Sequence, residues 1–184
     1  MPDARTTSVP NAARLLFCLT ICLASVRSAT LERLTVNDLI AKSTAVVHGR
    51  VTGSSTVYRG NVIYTDYRIN VLDLWKGPTQ SSVDVLVPGG VLNGVRQSYP
   101  GAPQLAAGQE YVLFLWTSSK GDTFTLGFTQ GVFVVQQDAS GQATAVRAAT
   151  TETMLEPGTG RVVKDQPLSM PLAQLASLVS AGAK

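Results

Sequence analysis

Ala45-Val46-Val47-His48-Gly49-Arg50-Val51-Thr52 decides the fold class of this chain. Ala45, Val47, Gly49 and Val51 fall on one side of an extended backbone, and His48, Arg50 and Thr52 fall on the other. This period-2 alternation is that of a strand with one polar face. A glycine on the apolar side in mid-strand predicts sharp bending, as at the corner of a closed sheet. Upstream, Thr35 with Asp38 three residues later and apolar positions at 36, 39 and 40 predicts a short capped helix over 35–42.

Downstream, residues 62–75 read as a second strand with Ile63, Thr65, Tyr67, Ile69 and Val71 on one face. The phase slips where Leu72 and Leu74 take the opposite side from Val71, which predicts a bulge near 72–73. Lys76-Gly77-Pro78 ends that strand, and 83–87 forms a third, stopped by Pro88-Gly89-Gly90. The stretch 88–103 is rich in turn residues and reads as a long functional loop. Residues 111–116 are apolar throughout, which predicts a central strand covered on both faces. Further strands are expected over 123–127, 132–136 and 143–148. An irregular crossing follows over 150–168, then a helix over 169–180 capped by Ser169. The expected fold is mainly β: a small OB-like barrel of six or seven strands with a short helix before it and a C-terminal helix.

The chain has 184 residues, 45% hydrophobic and 15% charged, enough for one domain and too apolar for disorder. Its formal charge of +3 is concentrated at the start: Arg5, Arg14, Arg27 and Asp3 lie in the first 28 residues, leaving 12 basic and 11 acidic groups beyond them. A near-neutral body with scattered charge argues against nucleic-acid binding, which needs clustered cations to displace phosphate counterions.

Arg5 and Arg14 precede the apolar run Leu15-Leu16-Phe17-Cys18-Leu19-Thr20-Ile21-Cys22-Leu23-Ala24, and small residues follow, the order of a secretory signal peptide. Residues 1–28 are assigned to it, so that cleavage after Ser28 leaves Ala29 first, with cleavage after Ala24 or Ala29 as alternatives. The run is far shorter than the roughly 20 residues a spanning helix needs, so no transmembrane anchor is expected. The protein is expected to be exported, to the periplasm or the exterior, as a single domain over 29–184. Both cysteines, Cys18 and Cys22, fall within the leader, so the processed chain contains no disulfide.

Three segments resemble netrin-like modules and the inhibitory domain of tissue inhibitors of metalloproteinases. They are Leu39-Ile40-Ala41-Lys42-Ser43-Thr44-Ala45-Val46-Val47-His48-Gly49-Arg50-Val51, Tyr67-Arg68-Ile69-Asn70-Val71-Leu72-Asp73-Leu74-Trp75-Lys76-Gly77-Pro78 and Gly108-Gln109-Glu110-Tyr111-Val112-Leu113-Phe114. The resemblance spans roughly 39–136. It implies an OB-type barrel and, in the inhibitors, a terminal cysteine amine seated on a protease zinc beside the loop after the third strand. Here Ala29 or Thr30 takes the cysteine's place, and Pro88-Gly89-Gly90-Val91-Leu92-Asn93-Gly94 takes that of the loop. With Tyr99 as an exposed aromatic, these are the candidate partner-binding residues. The implied partner is an extracytoplasmic protein such as a metalloprotease.

Catalysis is not expected. One histidine, His48, and no cysteine remain after processing, too few for a zinc site of the usual His and Cys composition. His48 reads as a half-exposed strand residue beside Arg50, and no Gly-x-Ser-x-Gly elbow accompanies it. Most of Asp66, Asp73, Asp84, Glu110, Asp122, Glu152 and Glu156 read as solvated strand and turn positions. Gly89, Gly90 and Gly94 do not match a phosphate loop, and no cofactor is expected. Tyr67, Trp75 and Trp116 are assigned to packing by strand phase, whereas Tyr58, Tyr64 and Tyr99 lie near loops and are candidates for exposure. Two alternatives stand beside the binding module: a glycan or small-ligand binder of the envelope, and a hydrolase using a carboxylate or Ser54 or Ser55.

Overall fold

A computed structural model describes residues 29–183, and the leader reading over 1–28, with Cys18 and Cys22, lies outside the described residues. The protein is mainly β. In order the elements are β1 (Thr30–Glu32), α1 (Val36–Lys42), β2 (Ala45–Arg59), β3 (Val62–Lys76), β4 (Ser82–Pro88), β5 (Gly90–Leu92), β6 (Val95–Gln97), β7 (Glu110–Thr117) and β8 (Thr123–Thr125). A 3₁₀ turn (Phe128–Gly131) follows, then β9 (Val132–Gln137), β10 (Ala143–Arg147), β11 (Thr153–Leu155), β12 (Val162–Val163), β13 (Leu168–Pro171) and α2 (Leu172–Gly182).

The main sheet has eight strands in the order β13-β10-β9-β7-β2-β3-β4-β8. β8 pairs with β4 through Leu86 and Phe124 and also with β7, so the ladder returns to a strand already in it. Because β7 lies between two packed layers, its alternate residues serve different cores, which accounts for its unbroken apolar run. Tyr111, Leu113 and Leu115 join Val47, Val51, Tyr67, Ile69 and Val85 in one cluster. Val112 and Phe114 join Val46, Phe133 and the helical Leu39, Ile40, Leu175 and Val179 in the other.

Several local expectations are met for the reasons the sequence offered. Thr35 caps α1, its Oγ1 accepting from Asp38 N at 3.1 Å while Asp38 Oδ2 accepts from Thr35 N at 2.9 Å. The β2–β3 register skips Leu72, leaving it bulged and exposed between the pairs His48–Asp73 and Gly49–Val71. At Gly49, where the sequence predicts a bend, the structure shows a close approach of two strands: a Cβ there would stand 2.6 Å from Ile69 Cγ2 and 2.7 Å from Asn70 O.

Other expectations are corrected. Thirteen strands are present among the described residues, against six or seven expected. β2 runs to Arg59 because its second half pairs with β3 despite carrying half-exposed residues. The crossing over 150–168 is partly ordered: β11 pairs in parallel with β1 and antiparallel with β12. Ser169 does not cap the last helix; it lies in β13 opposite Val146, and α2 begins at Leu172 after Pro171. Trp116 is 45% exposed, since β7 outlasts the apolar layer at that end. Among the described residues no helix is long and apolar enough to cross a membrane.

Candidate functional site

The stretch 88–103, expected as a long turn-rich loop, contains a short hairpin and a turn. β5 and β6 pair Gly90 with Gln97, Val91 with Arg96 and Leu92 with Val95. Asn93 (φ 51°) and Gly94 (φ 78°) form the link, both left-handed, as a two-residue primed turn demands. Strand β3 anchors the base: Ile63 N donates to Gln97 Oε1 at 2.7 Å, Gly89 N to Ile63 O at 2.8 Å, and Thr65 Oγ1 to Gly89 O at 2.8 Å. Thr56 Oγ1 of β2 donates to Val91 O at 3.0 Å. These bonds fix the backbone and leave Val91 (47%) and Val95 (48%) outward. Pro88, Gly89, Gly90 and Leu92 are half-buried, and Asn93, Gly94 and Tyr99 are exposed.

After the hairpin, Pro100 and Gly101 turn the chain, with Ala102 N donating to Tyr99 O at 3.1 Å. This turn meets the beginning of the described chain. Ala29 N donates to Glu152 Oε2 at 2.9 Å, and Thr30 pairs with Thr153. A Cβ on Gly101 would lie 3.2 Å from Glu152 Cγ and 3.5 Å from Leu31 Cδ1, so the bare glycine seats both side chains on the turn. The N-terminal strand and the end of the 88–103 segment are therefore joined through Glu152. Ala29, Thr30 and the Tyr99 turn come together, and the tip residues Asn93 and Gly94 stand at the far end of the hairpin.

A cavity of about 390 Å³ opens beside this junction, lined by Gly101, Ala102, Thr129, Arg147 and Glu152 among others. Arg147 lies at its wall, with its side chain 4% exposed and bonded through Nη2 to Asp165 Oδ1 (2.7 Å), itself 3% exposed, and to Gln166 O (3.0 Å). Burial pulls the Arg147 pKa below its ordinary value, and the Asp165 charge opposes that. Nε and Nη1 of Arg147 and Oγ1 of Thr129 are buried with no hydrogen-bond partner.

His48 differs from its sequence reading. It is only 7% exposed, because β2 is flanked on both sides and the bulge in β3 swings Asp73 onto it. Its Nδ1 lies 2.9 Å from Asp73 Oδ2 and its Nε2 3.2 Å from Glu110 Oε2. Glu110 also accepts from Arg50, and this bond, ahead of that from His48, holds its carboxyl below the usual range. Both imidazole nitrogens are thus engaged by carboxylates, and Ser54 and Ser55 sit opposite Tyr67 and Asp66.

Compared with known proteins, the chain matches no family model and no curated protein. Glu152 and Gln97 are the residues that sequence reasoning missed. No local pattern marks them, because each acts on backbone far away in sequence; the Asn-Gly and Pro-Gly turns were readable signals.

Proposed function

We propose that this protein is an exported, non-catalytic binding module, a small OB-like and netrin-like barrel that engages an extracytoplasmic protein, with a protease as the class of partner. One observation carries the reading: Glu152 links Ala29 to the Gly101 turn, so two segments distant in sequence form one continuous edge. The return of the ladder from β4 through β8 to β7 supports the barrel, as do the three netrin-like segments.

The hairpin suits a docking role. Its backbone is bonded on both sides, while Val91 and Val95 offer apolar contact at little further ordering cost. Ala29 N already donates to Glu152 Oε2, so a metal contact at that nitrogen would have to displace this bond, whereas docking through the hairpin leaves it in place; surface docking is therefore favoured over capping of a protease zinc.

The test is affinity capture from extracytoplasmic extract with three baits: protein beginning at Ala29, protein extended by one residue, and the Val91→Asp, Leu92→Asp variant. Recovery of one protease by the first two baits and its loss with the third is the expected result. Undiminished capture by the variant removes the hairpin from the site. Capture by the Ala29 form alone returns the contact to the terminal nitrogen.

A further inference from the structure

On a different face, four aromatic residues line an open cleft of about 310 Å³: Tyr64 from β3, Trp116 from β7, Phe124 from β8, and Phe128. Leu86, Pro88 and Thr125 complete its wall. Phe124 is central, 6.1 Å from the Trp116 ring at 28° and 6.0 Å from the Tyr64 ring at 59°, so two ring planes lie nearly parallel and a third makes a corner. Phe128 has a left-handed backbone (φ 58°), an unfavourable conformation for a bulky side chain and one that concentrates at binding sites. Trp116 remains 45% exposed.

Charge selects the occupant. Asp66 faces Leu86 across the β3–β4 ladder, and Leu86 faces Phe124 across β4–β8, so the three share one face of the sheet. Tyr64, two residues before Asp66 on the same strand, shares it too. Asp66 Oδ1 is buried with no hydrogen-bond partner. The guanidinium groups that act on Asp66 are committed elsewhere: Arg68 to Asp84 at 2.7 Å and Arg59 to Asp122 at 3.6 Å. A carboxylate without an ion pair of its own therefore stands behind the aromatic wall, one strand from Leu86 and two strand spacings, about 10 Å, from Phe124.

We propose that this aromatic cleft binds a quaternary ammonium group of the choline type, whose methyl groups lie on the Trp116, Phe124 and Tyr64 rings and whose charge is balanced by Asp66. Ring faces carry negative electrostatic potential and attract such a cation without hydrogen bonds. A neutral sugar fits less well, since its hydroxyls need several polar partners and the wall supplies chiefly rings, Leu86 and Pro88. The cleft meets the hairpin edge only at Pro88, and the variants that test it, at Trp116 and Asp66, lie outside the hairpin, so its failure leaves the proposed partner binding untouched.

The experiment is calorimetric titration of the protein with choline and with its neutral carbon isostere, 3,3-dimethylbutan-1-ol, alongside intrinsic tryptophan fluorescence, with the Trp116→Ala variant separating the Trp75 signal. Choline is expected to bind at least about tenfold more tightly than the isostere. Trp116→Ala should weaken choline binding by about tenfold. Asp66→Asn should weaken it by about threefold, with little effect on the isostere. Circular dichroism confirms that both variants fold. Equal binding of choline and the isostere overturns the proposal in favour of an apolar cleft. Binding of methyl glucoside without choline overturns it in favour of a sugar site, and heat-silent, fluorescence-silent titration overturns it outright.

Discussion

The backbone nitrogen of Ala29 is bonded to the side chain of Glu152, 123 residues away, at 2.9 Å. This contact and the β1–β11 pairing secure the N-terminal strand, since Arg33 N also donates to Leu155 O at 2.8 Å. Replacing Glu152 by Ala removes an acceptor that a charged carboxylate makes strong, and is expected to cost about 1.5 kcal/mol. Hydrogen exchange should then quicken across residues 30–33 while β2 and β7 stay protected. Unchanged exchange would show that the strand is held without Glu152.

The hairpin separates stability from recognition. Gly94 has φ 78° and open space around its missing Cβ, so Gly94→Val meets backbone strain alone and should cost about 1 kcal/mol. Val91→Asp adds a charge at an exposed position and should leave stability within about 0.5 kcal/mol. Urea unfolding of both variants checks the contrast.

The buried pair Arg147–Asp165 should be more costly to break than to replace. Asp165→Ala leaves a guanidinium uncompensated and is expected to destabilise by about 3–5 kcal/mol. Changing both residues to Leu should recover most of that loss, because Nε and Nη1 of Arg147 already lack partners. A double-mutant cycle on unfolding free energies decides it; additive losses would contradict the expectation.

Glu110 and Asp66 should give opposite pH slopes. Arg50 first and His48 after it lower the Glu110 pKa, so its ionised form stabilises the fold above the ordinary value of 4.5. That contribution is lost as pH falls through the lower folded value. Glu110→Gln should flatten the acid limb of a stability curve measured between about pH 2 and 6.

For Asp66, burial first and the Asp84 charge second raise the pKa, so the fold prefers the neutral acid. Stability falls as pH rises from the ordinary 3.8 towards the raised folded value. Asp66→Asn should therefore stabilise the protein at neutral pH, by an amount that solvent screening keeps small, while weakening choline binding. A variant that loses stability would show that the Asp66 charge is favourably paired.

Signals confined to a few neighbouring residues were legible. The capped helix at Thr35, the slip at Leu72 and the two-faced run 111–115 each follow from local periodicity. The short strands β5, β6, β11 and β12 were not legible, since two or three residues carry no period and form only where a partner strand waits. Trp116 was misassigned because alternation tells which side a residue faces, not how far the covering layer extends.

Of the candidate binding residues, the sequence marked the 88–94 stretch through its glycines and proline, and its Asn93-Gly94 pair already encoded a turn. By itself the sequence determined a mainly β fold with a helix near each end, because hydrophobic alternation and capping act between residues close along the chain. Only the tertiary structure decided that Glu152 meets Ala29, that two carboxylates take both nitrogens of His48, and that Asp66 shares a face with Phe124. Those relationships depend on strand order and register, which are fixed by the packing of whole layers and leave no mark at the residues they bring together.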